Sequence, residues 1–226
     1  MQAAQLLHLL QLASPSLPVG AYSYSQGLET AMDRGLVHDE LSAQVWIKDM
    51  LEEVIARFEA PITWRLLQAF IARDTDAVVY WTDYFIASRD SAEFRAETIQ
   101  MGYSLSKLVA DLAPDDKVLL TLLNQTTDIP FPTALAAASV ALHIPEESAL
   151  LGMLFSWAEN QVLACVKSVP LGQVAGQRLL LSLTPAIESA AITARTLADD
   201  ELSNWSPGLS LLSMQHEVQY SRLYRS

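Results

Sequence analysis

The groups in this chain that could hold a metal or move a proton are few and scattered: four histidines, one cysteine and 26 carboxylates among 226 residues. None of His8, His38, His143 and His216 has a second His or Cys at the short spacing of a metal site. His216-Glu217 comes nearest to a metal or acid/base pair, and its plainer reading is a surface pair on a terminal helix. The adjacent acids Glu52-Glu53, Asp115-Asp116 and Asp199-Asp200 suit solvated faces or helix starts better than a catalytic dyad. Cys165 lies among Val162, Leu163 and Val166, which reads as a buried, inert thiol. There is no GxxxxGK[ST] phosphate loop and no nucleophile elbow. This inventory favours an interaction protein over an enzyme.

Groups suited to recognition are denser. Between Leu9 and Glu29 a leucine-rich helical pattern stops at Ser14, and a loop follows that is stiffened by Pro15 and Pro18 and turned by Gly20. Hydroxyls crowd this loop, and a helical pattern resumes near Gln26. Tyr22 and Tyr24 alternate, so one is expected to point inward and the other outward. Further along, Arg95 and Thr98 are three apart and share a helix face, while Glu97 projects elsewhere, towards Met101 and Ser104. Gly102 removes a side chain and permits another helix or chain to come close. Gly172, Gln173, Gly176 and Gln177 combine small residues with uncharged amides that could line a polar seam. After Glu217 no acid occurs, and Arg222 and Arg225 alternate with Tyr220, Leu223 and Tyr224. A basic, aromatic end on an acidic chain suits either a frayed tail or a segment that orders on a partner.

The elements that must position these groups read as helices. Leu41, Val45, Ile47, Leu51, Val54, Ile55 and Phe58 recur at threes and fours, with acids between them. Pro61 should kink or interrupt this pattern before Trp64, Leu67 and Phe70 continue it. Further helices are expected over 78–88, from Met101 to Leu112, and after Asp115-Asp116. Pro132-Thr133 opens an alanine-rich stretch that another helix can approach closely. The run 149–166 is apolar nearly all round and belongs in the centre of a bundle. Residues 177–184 are expected to be helical because no partner strands occur nearby. Pro185 and Pro207 start the last two helices, the second reaching about Gln219. The whole should be an all-α, single-domain bundle of roughly ten helices.

Composition bounds the partners. Half the chain is apolar (51%), so it should fold. A net charge of −12 disfavours nucleic acid and anionic membranes. One cysteine permits no internal disulfide and fits a reducing compartment. No Lys or Arg precedes Arg34, whereas a secretory signal would want a basic start, and the uncharged run 129–145 carries three prolines. Cytoplasmic residence is the expectation.

Four segments together resemble the urease accessory protein UreF family: 9–29, 95–105 (RAETIQMGYSL), 169–178 (VPLGQVAGQR) and 214–226 (MQHEVQYSRLYRS). They fall in that family's order and span essentially the whole chain. Tyr103 is a departure, standing where many relatives would carry Arg. The resemblance implies one UreF-like helical domain over 1–226, with 218–226 a partner-docking tail. It implies a non-catalytic maturation factor that joins UreD (UreH in some systems) to the GTPase UreG. The complex would deliver nickel to the urease apoprotein, with nickel as cargo and no resident cofactor. A homodimer is implied, with a partner at each outer end and the GTPase across the centre. Partner-binding residues carried over from the motifs are Pro18, Gly20, Tyr22, Ser25, Gln26 and Glu29, then Arg95, Glu97, Thr98 and Gly102. Gln173 and Gln177 follow from the third motif, and Tyr220, Arg222, Leu223, Tyr224 and Arg225 from the fourth. Tyr22 is the outward tyrosine on this reading and faces the GTPase. Two alternatives stay open: a GTPase-activating protein that inserts an arginine into UreG, and a helical small-molecule-binding domain built round an apolar cavity.

Overall fold

A computed structural model describes residues 1–226. Its elements are α1 (Ala3–Leu12), a 3₁₀ turn (Ala21–Ser23), α2 (Leu28–Asp33), α3 (Glu40–Met50), a π-helical segment (Leu51–Glu59) and α4 (Ala60–Ala72). Then come α5 (Thr75–Ala87), α6 (Ala92–Leu112), α7 (Lys117–Leu123), α8 (Phe131–Ala141) and α9 (Glu146–Ser168). The chain closes with α10 (Gln173–Ser182), α11 (Thr184–Thr196), a second 3₁₀ turn (Asp199–Glu201) and α12 (Pro207–His216). There is no strand, and the 177–184 stretch is helical, as expected, as far as Ser182, with Leu183 turning the chain into α11.

Local chemistry explains most boundaries. Asp39, Asp74, Ser91 and Asp116 each accept a backbone N–H three residues on, so each satisfies a donor left free by its helix start. The proline at position 61 acts differently from the expected break. Lacking an N–H, it cannot bond the Arg57 carbonyl, and the rod instead widens into the π segment and continues. The Arg57 carbonyl accepts from the Ser203 N–H at 3.1 Å, which ties the segment ahead of α12 to the middle of the long helix. α12 stops at His216, short of Gln219, and the chain turns back towards α2.

α9 is the axis of the bundle and packs on α1, α2, α3, α4, α8, α10 and α11. It is long and apolar enough to cross a membrane, yet here it buries Leu150, Leu154, Ala158, Val162 and Cys165 in the core. Ala134, Ala136, Ala137 and Ala138 of α8 are wholly or almost wholly buried, and their small side chains let α8 press against both α6 and α4. At Gly102 of α6 the approach is backbone to backbone: a Cβ there would lie 2.6 Å from the Pro130 carbonyl carbon and nearer still to the Ile129 oxygen.

Candidate functional site

Glu159, Asn160 and Gln161 form the one polar run in the middle of α9, and they hold the proline- and tyrosine-rich loop. The Asn160 amide donates to the Ala21 and Tyr24 carbonyls (3.3 and 2.9 Å), and Gln161 donates to the Ser25 carbonyl (3.3 Å). Tyr24 is buried, as the inward tyrosine should be. Tyr22 departs from its expected outward pose. It is half-buried and its hydroxyl donates to Glu159 at 2.6 Å. Burial, then the Glu159 hydrogen bond, push its pKa well above the usual phenol range. Pro18 and Gly20 form the exposed rim of the loop, and Gly20 needs its freedom because its φ is +78°.

The next motif residues converge from α2, α6 and the tail. Gln26, at φ +56°, donates to Glu97 at 2.6 Å and accepts from the Trp157 indole at 2.7 Å. Glu97 also accepts from the Ser226 hydroxyl at 2.9 Å. Its burial raises the pKa to about 7, against the lowering effect of those two hydrogen bonds. Ser25, fully buried, donates to the Ser226 carbonyl through both N–H and hydroxyl at 2.6 Å. Glu29 accepts the backbone N–H groups of Leu223 (2.6 Å) and Tyr224 (2.9 Å). The tail is thus seated on its own fold. Tyr224 and Ser226 face inward, whereas Tyr220, Arg222, Leu223 and Arg225 are exposed. Burial, with Glu29 nearby, lifts the Tyr224 hydroxyl to about 12.

His216 does not pair with Glu217 on the surface. It is fully buried, its Nε2 lies 3.0 Å from Glu29 and its Nδ1 3.0 Å from Glu93, while Glu217 is exposed. No cluster of three or more His, Cys, Asp or Glu is arranged to hold a metal ion. Cys165 is buried and its thiol is pushed up to about 12 by burial, as an inert thiol should be.

Arg95 and Thr98 do share a face, and it meets the chain's own 128–131 loop. Arg95 pairs with Asp128 at 2.9 Å, and Thr98 accepts the Phe131 N–H at 3.0 Å. Gly102 lies under the same loop. On α10, Gly176 packs against Val166, while Gln173, Val174, Gln177, Arg178 and Leu181 form an exposed stripe. The carboxyl end of the chain is also rich in exposed apolar groups: Leu211 and Met214 of α12 and Val218 in the turn after it, flanked by Trp205, Tyr220 and Leu223. Beyond Tyr220 and Leu223, sequence reasoning did not single out the individual members of this stripe, nor Glu159–Gln161. The signals were there, as a polar run in an apolar helix and as an apolar stripe opposite buried Ser213 and His216.

Between the loop, α6, α8 and α9 lies a mostly apolar cavity with Tyr22, Gln26, Glu97 and Asn160 on its wall. Arg89 borders it, paired to Glu59 at 2.7 Å and laid over the Phe85 ring at 4.2 Å. The space open to the centre of a water molecule is about 90 Å³. That is less than the roughly 150 Å³ that admits a benzene ring, so its size suits a few waters rather than an organic ligand.

A sequence profile of the UreF family matches residues 37–184. The urease accessory protein UreF of Janthinobacterium sp. (strain Marseille) is 71% identical over 226 residues, covering 100% of both chains. That of Nitrosospira multiformis is 65% identical over 221 residues, covering 98% of this chain and 97% of its own. That of Azoarcus sp. (strain BH72) is 50% identical over 226 residues, covering 98% of this chain and 95% of its own. The profile match and these end-to-end similarities agree, and the chain belongs to the UreF family.

Proposed function

We propose that this chain is a non-catalytic docking factor in urease maturation. It joins a UreD-type (UreH-type) protein to the GTPase UreG so that nickel reaches the urease apoprotein. Many of its polar groups are organised to hold backbone segments in place.

The observation that carries the reading is the exposed apolar and basic surface of α12 and the tail. Leu211, Met214, Val218, Tyr220, Arg222, Leu223 and Arg225 face solvent there on a chain of net charge −12. Aromatic and arginine side chains in such a setting are the usual anchors of an interface. This surface is assigned to the UreD-type partner. The Pro18–Gly20 rim and the α10 stripe, which lie on other faces of the loop and bundle, are assigned to UreG. The outer faces of α1 (Leu6, Leu7, Leu10) and α9 (Leu151, Phe155), neighbours across Leu9 and Gly152, suit a second copy of the chain in a homodimer. All of this takes place in the cytoplasm.

The test is co-purification with UreD-type and UreG proteins, with and without residues 220–226. Loss of the UreD-type partner on truncation, with helicity retained, is expected. Retention of that partner would overturn the assignment. Acceleration of UreG hydrolysis by the isolated chain, abolished by Arg178→Ala, would replace docking with GTPase activation, since Arg178 is the exposed arginine of the α10 stripe.

A further inference from the structure

α3 and α10 lie side by side, and the contacts between them fix which way each one faces. Glu40 of α3 meets Arg178 of α10 at 3.6 Å, and the Gln44 amide donates to the Ser182 hydroxyl at 3.0 Å. Both pairs advance by four residues, so the two helices run parallel and in register. A step of one residue turns a helix by about 100°. On α3 the residue before Gln44, Ala43, is buried, while Leu41 and Val45, one place after Glu40 and Gln44, turn away from the core. On α10 the seam faces the opposite way, and the order reverses. Leu179 and Leu183, one place after Arg178 and Ser182, are buried, while Gln177 and Leu181, one place before them, turn outward. Val174, two turns before Leu181, shares its face. Leu41, Val45, Val174 and Leu181 therefore crowd the same side of the helix pair, and each is more than half exposed. Gly176, where a Cβ would lie 2.5 Å from the Val166 side chain, lets α10 sit close on α9.

We infer that α3 and α10 form one docking platform, in which Leu41 and Val45 complete the α10 stripe and receive an apolar, uncharged ridge of the partner assigned above to α10. The identity of that partner, UreG, rests on the docking reading; the extent and chemistry of the platform do not. Charge selects the kind of surface that fits. The charged side chains bordering the platform are paired off, Glu40 with Arg178 and Lys48 with Glu52 at 3.8 Å. On a chain of net charge −12 this face thus carries little charge of its own. It offers nothing to a strongly basic partner or to an anionic lipid surface. That separates it from α12 and the tail, where Arg222 and Arg225 are exposed. Area argues against a second copy of the chain. Four such side chains present on the order of a few hundred Å² of apolar surface. Permanent homodimers bury about 1,000 Å² or more on each copy, whereas a patch of this size suits a partner that docks and leaves.

The test measures the affinity of UreG for the full chain in complex with the UreD-type protein. Leu41→Asp, Val45→Asp and Leu181→Asp are each expected to weaken it about tenfold or more. Melting temperatures should stay unchanged, because all three side chains are exposed. Val45→Lys should weaken binding as much as Val45→Asp, since an apolar ridge tolerates neither charge. Val118→Asp, on α7, which packs on α5 and α8, should bind like the parent. Loss of binding in Leu181→Asp with full binding by Leu41→Asp and Val45→Asp would overturn the platform and leave the docking reading standing. Full binding by all three would overturn the platform together with the assignment of α10. Tighter binding by Val45→Lys would reveal an acidic partner surface and overturn the uncharged ridge. A mass that halves in sedimentation on Val45→Asp would place a second copy there and overturn the inference as well.

Discussion

Replacing Gly102 by alanine probes the tightest backbone approach in the fold and decides whether this motif glycine acts inside the chain or on a partner. The new methyl would meet the Pro130 carbonyl carbon at 2.6 Å and the Ile129 oxygen at a shorter distance. Ordinary carbon contacts begin near 3.5 Å, so the loop must retreat by roughly 1 Å from the Pro130 carbon and by more at the Ile129 oxygen. It has little means to do so. The obstructing atoms are backbone, Pro130 and Pro132 stiffen the segment, and the Phe131 N–H is held by Thr98. Overpacking of this kind costs about 1–3 kcal/mol, and rigid neighbours place it at the upper end. Alanine recovers about 1 kcal/mol through its better helix propensity. The net loss is about 2 kcal/mol, a fall in melting temperature of about 4–8 °C for a chain of this size. Urea denaturation measures it directly. Because Gly102 is buried, any loss of partner binding should track the unfolded fraction and disappear on cooling. A variant as stable as the parent that nonetheless fails to bind would refute the packing argument and return Gly102 to the interface.

Other outcomes follow from the same geometry. Glu97 has a folded-state pKa near 7 against an ordinary value of 4.5, so its favourable contribution is complete below the ordinary carboxyl range and is lost as pH rises through about 7. The urea midpoint should therefore fall between about pH 5 and 8 in the parent and fall less in Glu97→Gln, and equal slopes would contradict the assignment. Tyr22→Phe keeps the ring and removes the hydroxyl from Glu159, which should cost about 1–2 kcal/mol by denaturation. A change below about 0.5 kcal/mol would mean that water replaces the hydroxyl without loss. Calorimetry of the isolated chain with Ni²⁺ should show only weak binding, since no three His, Cys, Asp or Glu side chains are arranged to hold a metal ion. A stoichiometric site tighter than about 1 µM would contradict this, and His216 with its two acids would be the first place to examine.

Helices were legible because their signals are local. Asp116 caps α7, the prolines at 132, 185 and 207 sit in the first turns of their helices, and the apolar 149–166 run became the axis. The packing role of Gly102 was legible for the same reason. What could not be read were pairings between residues remote in sequence. His216 has an adjacent acid, yet it binds two others, 123 and 187 positions away. The outward reading of Tyr22 rests on the resemblance alone, whereas its partner Glu159 lies 137 residues on. At Pro61 the missing N–H was foreseeable, but its accommodation by a π segment and by Ser203 depends on α12, far downstream.

The bond between Ser25 and Ser226 spans 201 residues, that between Ser23 and Arg225 spans one more, and the others across the same seam span almost as many. Such a pairing closes the largest loop in the molecule, and the entropy of that closure must be met before any of its hydrogen bonds can form. Folding therefore has a natural last event. The bundle has long-range contacts of its own, those of α9 with α1, α2 and α3 among them, but the seam joining the two ends closes the longest loop and is expected to set last. In stopped-flow refolding this separates two signals. Far-ultraviolet circular dichroism, which reports helices, should recover ahead of the fluorescence of Trp157, whose indole is bonded to Gln26 beside that seam.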